Sequence, residues 1–234
     1  MELTQYFHET RVLNETGRMH ESASPDWWLS SGGLFIQQNG IGKTIQGALP
    51  QGSIWQMRYA GRDDTDHGLH PQNVFRLVSR SCTQDCTQQM RFRINNYRAS
   101  PIVRRNASNG VFFLARYQDP HNLYYVGLRV DGYAVIKKKS SGVHETLAKE
   151  KVFPGDYDRE NKPCVLPLHT WLGMRCEVRN RDGGVDILLL LEEKARKWRI
   201  IAQAHDDKPF SEGHGGIKSE FMDAEFENYN VQVR

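Results

Sequence analysis

Long apolar runs are missing from this sequence. No window approaches the ~18 consecutive apolar residues of a bilayer-spanning helix, and Met1 to Arg11 lacks the apolar core of a signal peptide. The expectation is a protein without a membrane partner. It either stays in the cytosol or is secreted or periplasmic with its leader absent from this chain, so the compartment stays open. Charge of one sign is also missing: 31 Lys and Arg stand against 28 Asp and Glu, a formal net charge of +3. That balance argues against a nucleic-acid partner held by phosphate neutralisation, so any basic site must be local.

Cysteine is scarce. Four residues, at 82, 86, 164 and 176, match neither a dense disulfide framework nor paired zinc-ligand spacings. Cys82 and Cys86 bracket Thr-Gln-Asp between two strand-like runs, and they either clip a hairpin tip in an oxidising compartment or remain thiols. Cys176 shares parity with Met174 and Val178 and reads as a small buried hydrophobe. Asn39-Gly-Ile-Gly-Lys-Thr44 echoes the end of a phosphate-binding loop, but Gln37 stands where the motif needs Gly. Gly40 and Gly42 read as a turn. No nucleophile elbow supports a hydrolytic triad, and no organic cofactor is implied. The triplets Asn14-Glu-Thr16 and Asn106-Ala-Ser108 fit glycosylation acceptors, a pattern that also arises by chance.

Long amphipathic helices are absent too, and short β-type runs take their place. They span Ser53 to Ala60, Asn73 to Arg80, Gln88 to Tyr97, Gly110 to Gln118, Asn122 to Val130, Tyr133 to Lys139, Trp171 to Asn180, Gly184 to Leu191, Trp198 to Ala204 and Met222 to Val233. Asp119-Pro-His-Asn122, Asp131-Gly132 and Asp182-Gly-Gly184 supply hairpin turn chemistry between them. Strands at this spacing predict an all-β, two-sheet antiparallel sandwich in a single domain. Residues 1–30 are poorly patterned and are expected to pack on that domain as an arm, with the sandwich over 31–234. Pro154 to Leu168 reads as a long surface loop, and Glu192 to Lys197 as either a short helix or a charged hairpin loop.

Alternation assigns the faces. Met90, Phe92 and Ile94 take one side, with Gln89, Arg91, Arg93, Asn95 and Tyr97 opposite. Tyr124, Val126 and Leu128 oppose Leu123, Tyr125, Gly127 and Arg129; Ala134, Ile136 and Lys138 oppose Tyr133, Val135, Lys137 and Lys139. In the last strand Met222, Ala224 and Phe226 share a parity that Tyr229, Val231 and Val233 break, which predicts a bulge near Glu227-Asn228.

The stretch Asn106 to Lys139 resembles the central meander of concanavalin A-like, laminin-G-like jelly rolls. Trp171-Leu-Gly-Met-Arg-Cys-Glu-Val178 resembles that superfamily's strand opened by Trp, and Gly216 to Val231 resembles its closing strand. The resemblance covers roughly the C-terminal half. It implies a jelly-roll β-sandwich with one sheet curved around a groove, among relatives that include lectins, glucanases, polysaccharide lyases and carbohydrate-binding modules. It also implies a structural calcium ion near the terminal strands, with Asp223 at the closing-strand aspartate. The acidic run Asp63-Asp-Thr-Asp-His67 reads first as a charged loop and second as a metal or substrate site.

Three functions follow from that fold. The first is recognition of a polysaccharide or oligosaccharide in a basic, aromatic-lined concave groove, with Gln89, Arg93, Asn95, Tyr97, Arg129, Lys137 and Lys139 as substrate-binding residues. The second is endo-acting polysaccharide lyase chemistry on a uronate glycan, in which Arg91 neutralises the carboxylate and His121 or Tyr125 handles the proton; Tyr124 has the right chemistry as well. The third is a non-catalytic laminin-G-like interaction module. Glucanase chemistry is disfavoured, because Glu220-Phe-Met-Asp-Ala-Glu-Phe-Glu227 lacks the Glu-x-Asp-x-x-Glu spacing of the relatives that cleave glucans. Among aromatic platforms, Trp55 and Trp171 are expected in the core, and Trp27-Trp28 is the pair expected to reach a ligand. The sequence sets no oligomeric state.

Overall fold

Alternating apolar residues bury one face of each strand only if two sheets pack face to face, and that is the architecture of the computed structural model, which describes residues 2–3, 7, 9–194 and 197–233. The N-terminal third carries β1 (Glu2–Leu3), β2 (Arg11–Asn14), β3 (Trp27–Ser31), β4 (Leu34–Gln38), β5 (Ile41–Thr44) and a short helix, α1 (Ile54–Tyr59). There follow β6 (Arg76–Thr83), β7 (Cys86–Tyr97), β8 (Gly110–Asp119), β9 (Asn122–Arg129), β10 (Tyr133–Ser140) and β11 (Val143–Lys151). The C-terminal third holds β12 (Leu172–Arg181), β13 (Gly184–Glu192), β14 (Trp198–Asp206), β15 (Gly213–Ser219) and β16 (Met222–Val233).

The large sheet runs β14-β13-β12-β7-β16-β5-β4-β2, with β1 pairing β16 beside this path; the small sheet runs β11-β10-β9-β8-β15-β6-β3. All of these pairings are antiparallel. This is a jelly-roll β-sandwich. Between the sheets lies the main core, where Met90, Phe92, Ile94, Met174, Cys176 and Phe226 from the large sheet meet Val111, Phe113, Tyr124, Val126, Leu128 and Ile136 from the small one. A minor apolar cluster of Val78, Phe112, Leu114, Tyr117, Leu123, Tyr125 and Val135 covers part of the small sheet's outer face.

Several expectations need correction. Ser53 to Ala60 is helical: Trp55 and Tyr59, four residues apart, are the two buried side chains of α1, so a 3.6-residue period decides a run whose aromatic and β-branched content reads as strand. Residues 11–31 supply an outermost strand to each sheet through β2 and β3. Gly216 to Val231 is two strands in opposite sheets, β15 and β16, broken where Phe221 takes a positive φ of 58°. Cys82 and Cys86 flank a crossing between the sheets, since β6 lies in the small sheet and β7 in the large one; all four thiols are free. The proposed turn or helix at Glu192 to Lys197 includes Ala195 and Arg196, which lie outside the described residues.

The bulge near Glu227-Asn228 is present, with a register shift between Glu227 and Asn230 and a φ of 53° at Asn228. Of the glycosylation triplets, Asn106 is fully buried, its amide bonded to the Ser100 carbonyl at 3.0 Å.

Candidate functional site

The shared trough expected from alternation is divided by the topology. Gln89, Arg91, Arg93 and Asn95 sit on β7, on the outer face of the large sheet, whereas Tyr125 and Arg129 on β9 and Lys137 and Lys139 on β10 belong to the small sheet. Tyr97 leaves the polar face altogether. The ladder slips between the Asp223 and Ala224 pairings, and the ring then packs against the main core while its hydroxyl donates to the Asn106 carbonyl at 3.1 Å. His121 occupies the turn between β8 and β9, where its backbone N–H donates to Asp119 Oδ1 at 2.6 Å. Tyr124 points inward and donates to Asp206 at 2.5 Å, beside the Lys138 ammonium at 2.8 Å from the same carboxylate.

On the large sheet's outer face the cations are matched by carboxylates and amides. Arg91 meets Glu227 at 2.7 Å and Glu192 at 3.5 Å; Arg93 is paired with Glu225, which Lys43 also contacts at 3.2 Å. Arg175 donates to Gln89 Oε1 at 2.8 Å, and Asn95 donates to Gln46 at 2.8 Å. Trp171, expected in the core, is half-buried here with the Arg93 guanidinium 4.8 Å from its ring centre. Trp27 is the core residue instead, 1% exposed and edge-on to Tyr229 at 5.0 Å, and Trp28 donates from Nε1 to the Thr16 carbonyl at 3.0 Å.

The small sheet's outer face is different. A cavity of about 580 Å³ lies over β8, β9, β10 and β15, lined by Arg104, Arg105, Ser108, Phe112, Tyr125, Arg129, Val135, Lys137, Lys139, His144, Lys218 and Glu220. A second, of about 460 Å³, shares Arg105, Lys139, Lys218 and Glu220 with it and continues past Arg76 and Arg62 to Tyr59 and Glu15. Together they form one basic trough with an aromatic floor. The outer parity of β9 and β10 brings Tyr125, Arg129, Lys137 and Lys139 into it, and β11 adds His144, stacked on Tyr125 at 5.8 Å between ring centres.

Carboxylates answer only part of this charge. Glu220 takes Lys218 at 2.6 Å and Arg105 at 3.2 Å, and Asp131 takes Arg129 at 2.6 Å. Burial works to raise the Glu220 pKa, but Lys218 and Arg105 outweigh it and hold the group below its ordinary range. Among the described residues no carboxylate pairs with Lys137, Lys139 or Arg76. The cations depress one another: burial first, and then neighbouring positive charge, holds Lys137, Lys139 and His144 below their usual pKa values. Tyr125 is pushed up to about 12, mainly by burial, so its hydroxyl stays protonated at neutral pH.

The residues do not fit the calcium ion implied near Asp223. Both of its oxygens are taken by donors: Arg98 from two nitrogens at 2.7 and 2.8 Å, Gln72 at 2.9 Å and the Gly47 N–H at 3.0 Å. A cation site needs oxygens facing the ion, not a guanidinium. In the acidic loop, Asp64 pairs with Arg105 at 2.7 Å and Asp66 with His70 at 2.7 Å. Among the described residues no group of three or more His, Cys, Asp or Glu gathers as metal ligands do.

Sequence reasoning missed Arg76, Arg105, His144 and Lys218. His144 lies in β11, whose exposed, charged residues mask a strand, and Lys218 in β15, which the resemblance merges with β16 into one closing strand.

No family profile and no curated protein sequence matches the chain. Solved structures do. A carbohydrate-binding module from Bacillus subtilis aligns at 15% identity and a TM-score of 0.56, covering 88% of this chain and 95% of that one. Winged bean acidic lectin, solved with methyl-α-D-galactose, aligns at 10% identity and a TM-score of 0.55, covering 95% and 98% of the two chains. A protein of unknown function from Saccharomyces cerevisiae follows at 13% identity and a TM-score of 0.50, covering 89% and 95%. At these identities the likeness is one of fold.

Proposed function

We propose that this chain, a concanavalin A-like jelly roll by fold, binds an anionic polysaccharide along the outer face of its small sheet. The carrying observation is that Lys137 and Lys139 line one trough without a carboxylate ion pair among the described residues, while burial first, and then Arg129 and Lys218 at Lys137 and Lys218 and Arg76 at Lys139, hold their pKa values down. A uronate or other acidic group entering the trough relieves that repulsion, and charge-assisted hydrogen bonds to ammonium groups are stronger than neutral ones. His144, exposed and stacked on the buried Tyr125 ring, supplies the flat surface against which a sugar ring packs, as in other concave ligand sites. The carbohydrate-binding module and the lectin that share this fold make sugar the natural ligand class.

Binding is favoured over β-elimination. Arg91, the intended carboxylate neutraliser, is on the other sheet, and His121 lies outside the lining of the trough. Tyr125, its pKa pushed up to about 12 by burial, is protonated at neutral pH, so the tyrosinate that would take the proton is scarce. Retention of the protein on alginate, glucuronan and polygalacturonate, compared at low and high salt, tests the proposal. The expected result is retention on at least one uronate, lost at high salt and in the K137A/K139A variant, with flat absorbance at about 235 nm, where an elimination product absorbs. No retention on any anionic glycan at low salt sinks it.

A further inference from the structure

The bulge in β16 builds a second site of different chemistry on the opposite side of the molecule. In a regular strand, outward and inward side chains alternate. Here Arg91 pairs with Glu227 and Gln89 with Asn230, so β16 spends one residue more than β7 between these two rungs. Glu227, Asn228 and Asn230 therefore all reach the outer side, while Phe226 and Tyr229 stay buried. The left-handed backbone at Asn228, φ 53°, makes this turn of parity possible.

The result is a cavity of about 530 Å³ on the large sheet's outer face, lined by Gln89, Arg91, Arg175, Glu192, Trp198, Asn228 and Asn230. Its wall is fixed: Arg175 lies 4.3 Å from the centre of the Trp198 ring and donates to Gln89 Oε1 from two nitrogens, at 3.2 and 2.8 Å. That leaves donors and acceptors at the cavity without protein partners among the described residues, namely Gln89 Nε2 and the Asn228 side-chain amide. Arg91 Nε is buried there and donates to nothing, 3.5 Å from Glu192 Oε2. A buried N–H without an acceptor is costly, and a ligand hydroxyl can both accept from it and donate to the adjacent carboxylate.

We infer that this cavity binds a neutral oligosaccharide. Amides, an Arg–Glu pair and a half-buried indole are the groups that pair with vicinal hydroxyls and pack against a sugar ring. Glu192 in its lining and Glu227, the other partner of Arg91, neutralise that guanidinium and disfavour the acidic glycan proposed for the other sheet. The two outer faces thus select opposite ligand classes. This inference stands on different residues from the anionic trough and holds or fails independently of it.

Calorimetric titration of the full chain with cello-, manno-, xylo-, galacto- and fructo-hexaose tests it, with wild type, W198A, N228G and K137A/K139A run side by side and thermal melting as a check on folding. Gly keeps the positive φ at position 228 while removing the amide. The expected result is that at least one neutral hexasaccharide binds, that W198A and N228G each weaken it about tenfold, and that K137A/K139A leaves it unchanged. Absence of binding by all five hexasaccharides overturns the inference. So does binding that W198A and N228G retain but K137A/K139A abolishes. Retention of W198A on uronate columns reports separately on the small-sheet trough.

Discussion

Arg98 donates to both oxygens of Asp223, from Nη1 at 2.7 Å and from Nη2 at 2.8 Å. The same carboxylate accepts from Gln72 and from the Gly47 N–H, so the first residues of the closing strand anchor three separate loops. The Arg98 and Asp223 side chains are 17% and 7% exposed, which makes this a partly buried pair whose desolvation is already incurred. Removing one partner leaves the other uncompensated, and Arg98→Ala is expected to cost about 3–5 kcal/mol of stability. Urea denaturation monitored by tryptophan fluorescence measures it. A cost below about 1 kcal/mol would reduce the pair to an ordinary surface contact.

Acid stability follows from the same carboxylate and three others. Burial acts to raise the pKa values of Asp223, Glu225, Glu220 and Asp206, yet Arg98, Arg93, Lys218 and Lys138 respectively bring each below its ordinary range. A depressed folded-state pKa means the unfolded chain binds more protons, so stability is fully present above the unfolded values of roughly 4 and declines as pH falls through the folded ones. The urea midpoint should be level from pH 7 to about 5 and fall steadily below about pH 4. In Asp223→Asn the midpoint starts lower and falls less steeply. A wild-type midpoint that rises on acidification would contradict the assigned pairs.

How much of this was legible beforehand depends on the residue. The inward sets Met90, Phe92, Ile94 and Tyr124, Val126, Leu128 are all fully buried, because strict alternation leaves one apolar face no alternative partner. The β16 bulge was legible for the same reason: Phe226 and Tyr229 cannot both face inward without an inserted residue. Sheet membership was not. Period-two alternation says which side chains share a strand face, but it is silent on whether β7 and β10 lie in the same sheet, so a single groove holding both Arg93 and Lys137 is a reading the sandwich separates. Gly213 to Ser219 was not legible as a strand of its own, because the resemblance joins it from Gly216 onward to the closing strand. Its glycines let neighbouring strands approach closely, since a Cβ on Gly216 would sit 2.3 Å from the Leu77 carbonyl oxygen, and the same residues carry no side chains that could alternate.

The trough gives a pH-dependent affinity. Burial, then Lys139, Lys137 and Lys218, lowers the His144 pKa in the free protein. A bound anion favours the imidazolium and raises it. Protons are therefore taken up on binding, and affinity for a uronate chain should increase as pH falls from about 7.5 to 5.5, across the range where His ordinarily titrates and the uronate stays ionised. His144→Ala should flatten that profile while keeping the salt dependence, and Lys139→Ala should weaken binding about tenfold at all pH values. Calorimetry in two buffers of different ionisation enthalpy measures the proton uptake directly. Proton release on binding would remove His144 from the site.

The thiols offer a test of the strand assignment that needs no ligand. Cys82 is exposed on β6, Cys164 is half-buried, and Cys86 and Cys176 are buried on β7 and β12. Burial raises all four pKa values, taking Cys164 to about 11, so the thiolate that reacts with a disulfide reagent is scarce everywhere and accessible only at Cys82. One thiol should react with an aromatic disulfide reagent in the native protein at about pH 8, more slowly than free cysteine, whose pKa is near 8.5. All four should react in denaturant without prior reduction. Cys82→Ser should abolish the native reaction and leave the melting temperature nearly unchanged, because the position is exposed. Only two reactive thiols in denaturant would mean that Cys82 and Cys86 are joined after all. The chain's passage from the small sheet to the large one at Gln84-Asp85 would then be a covalently closed loop.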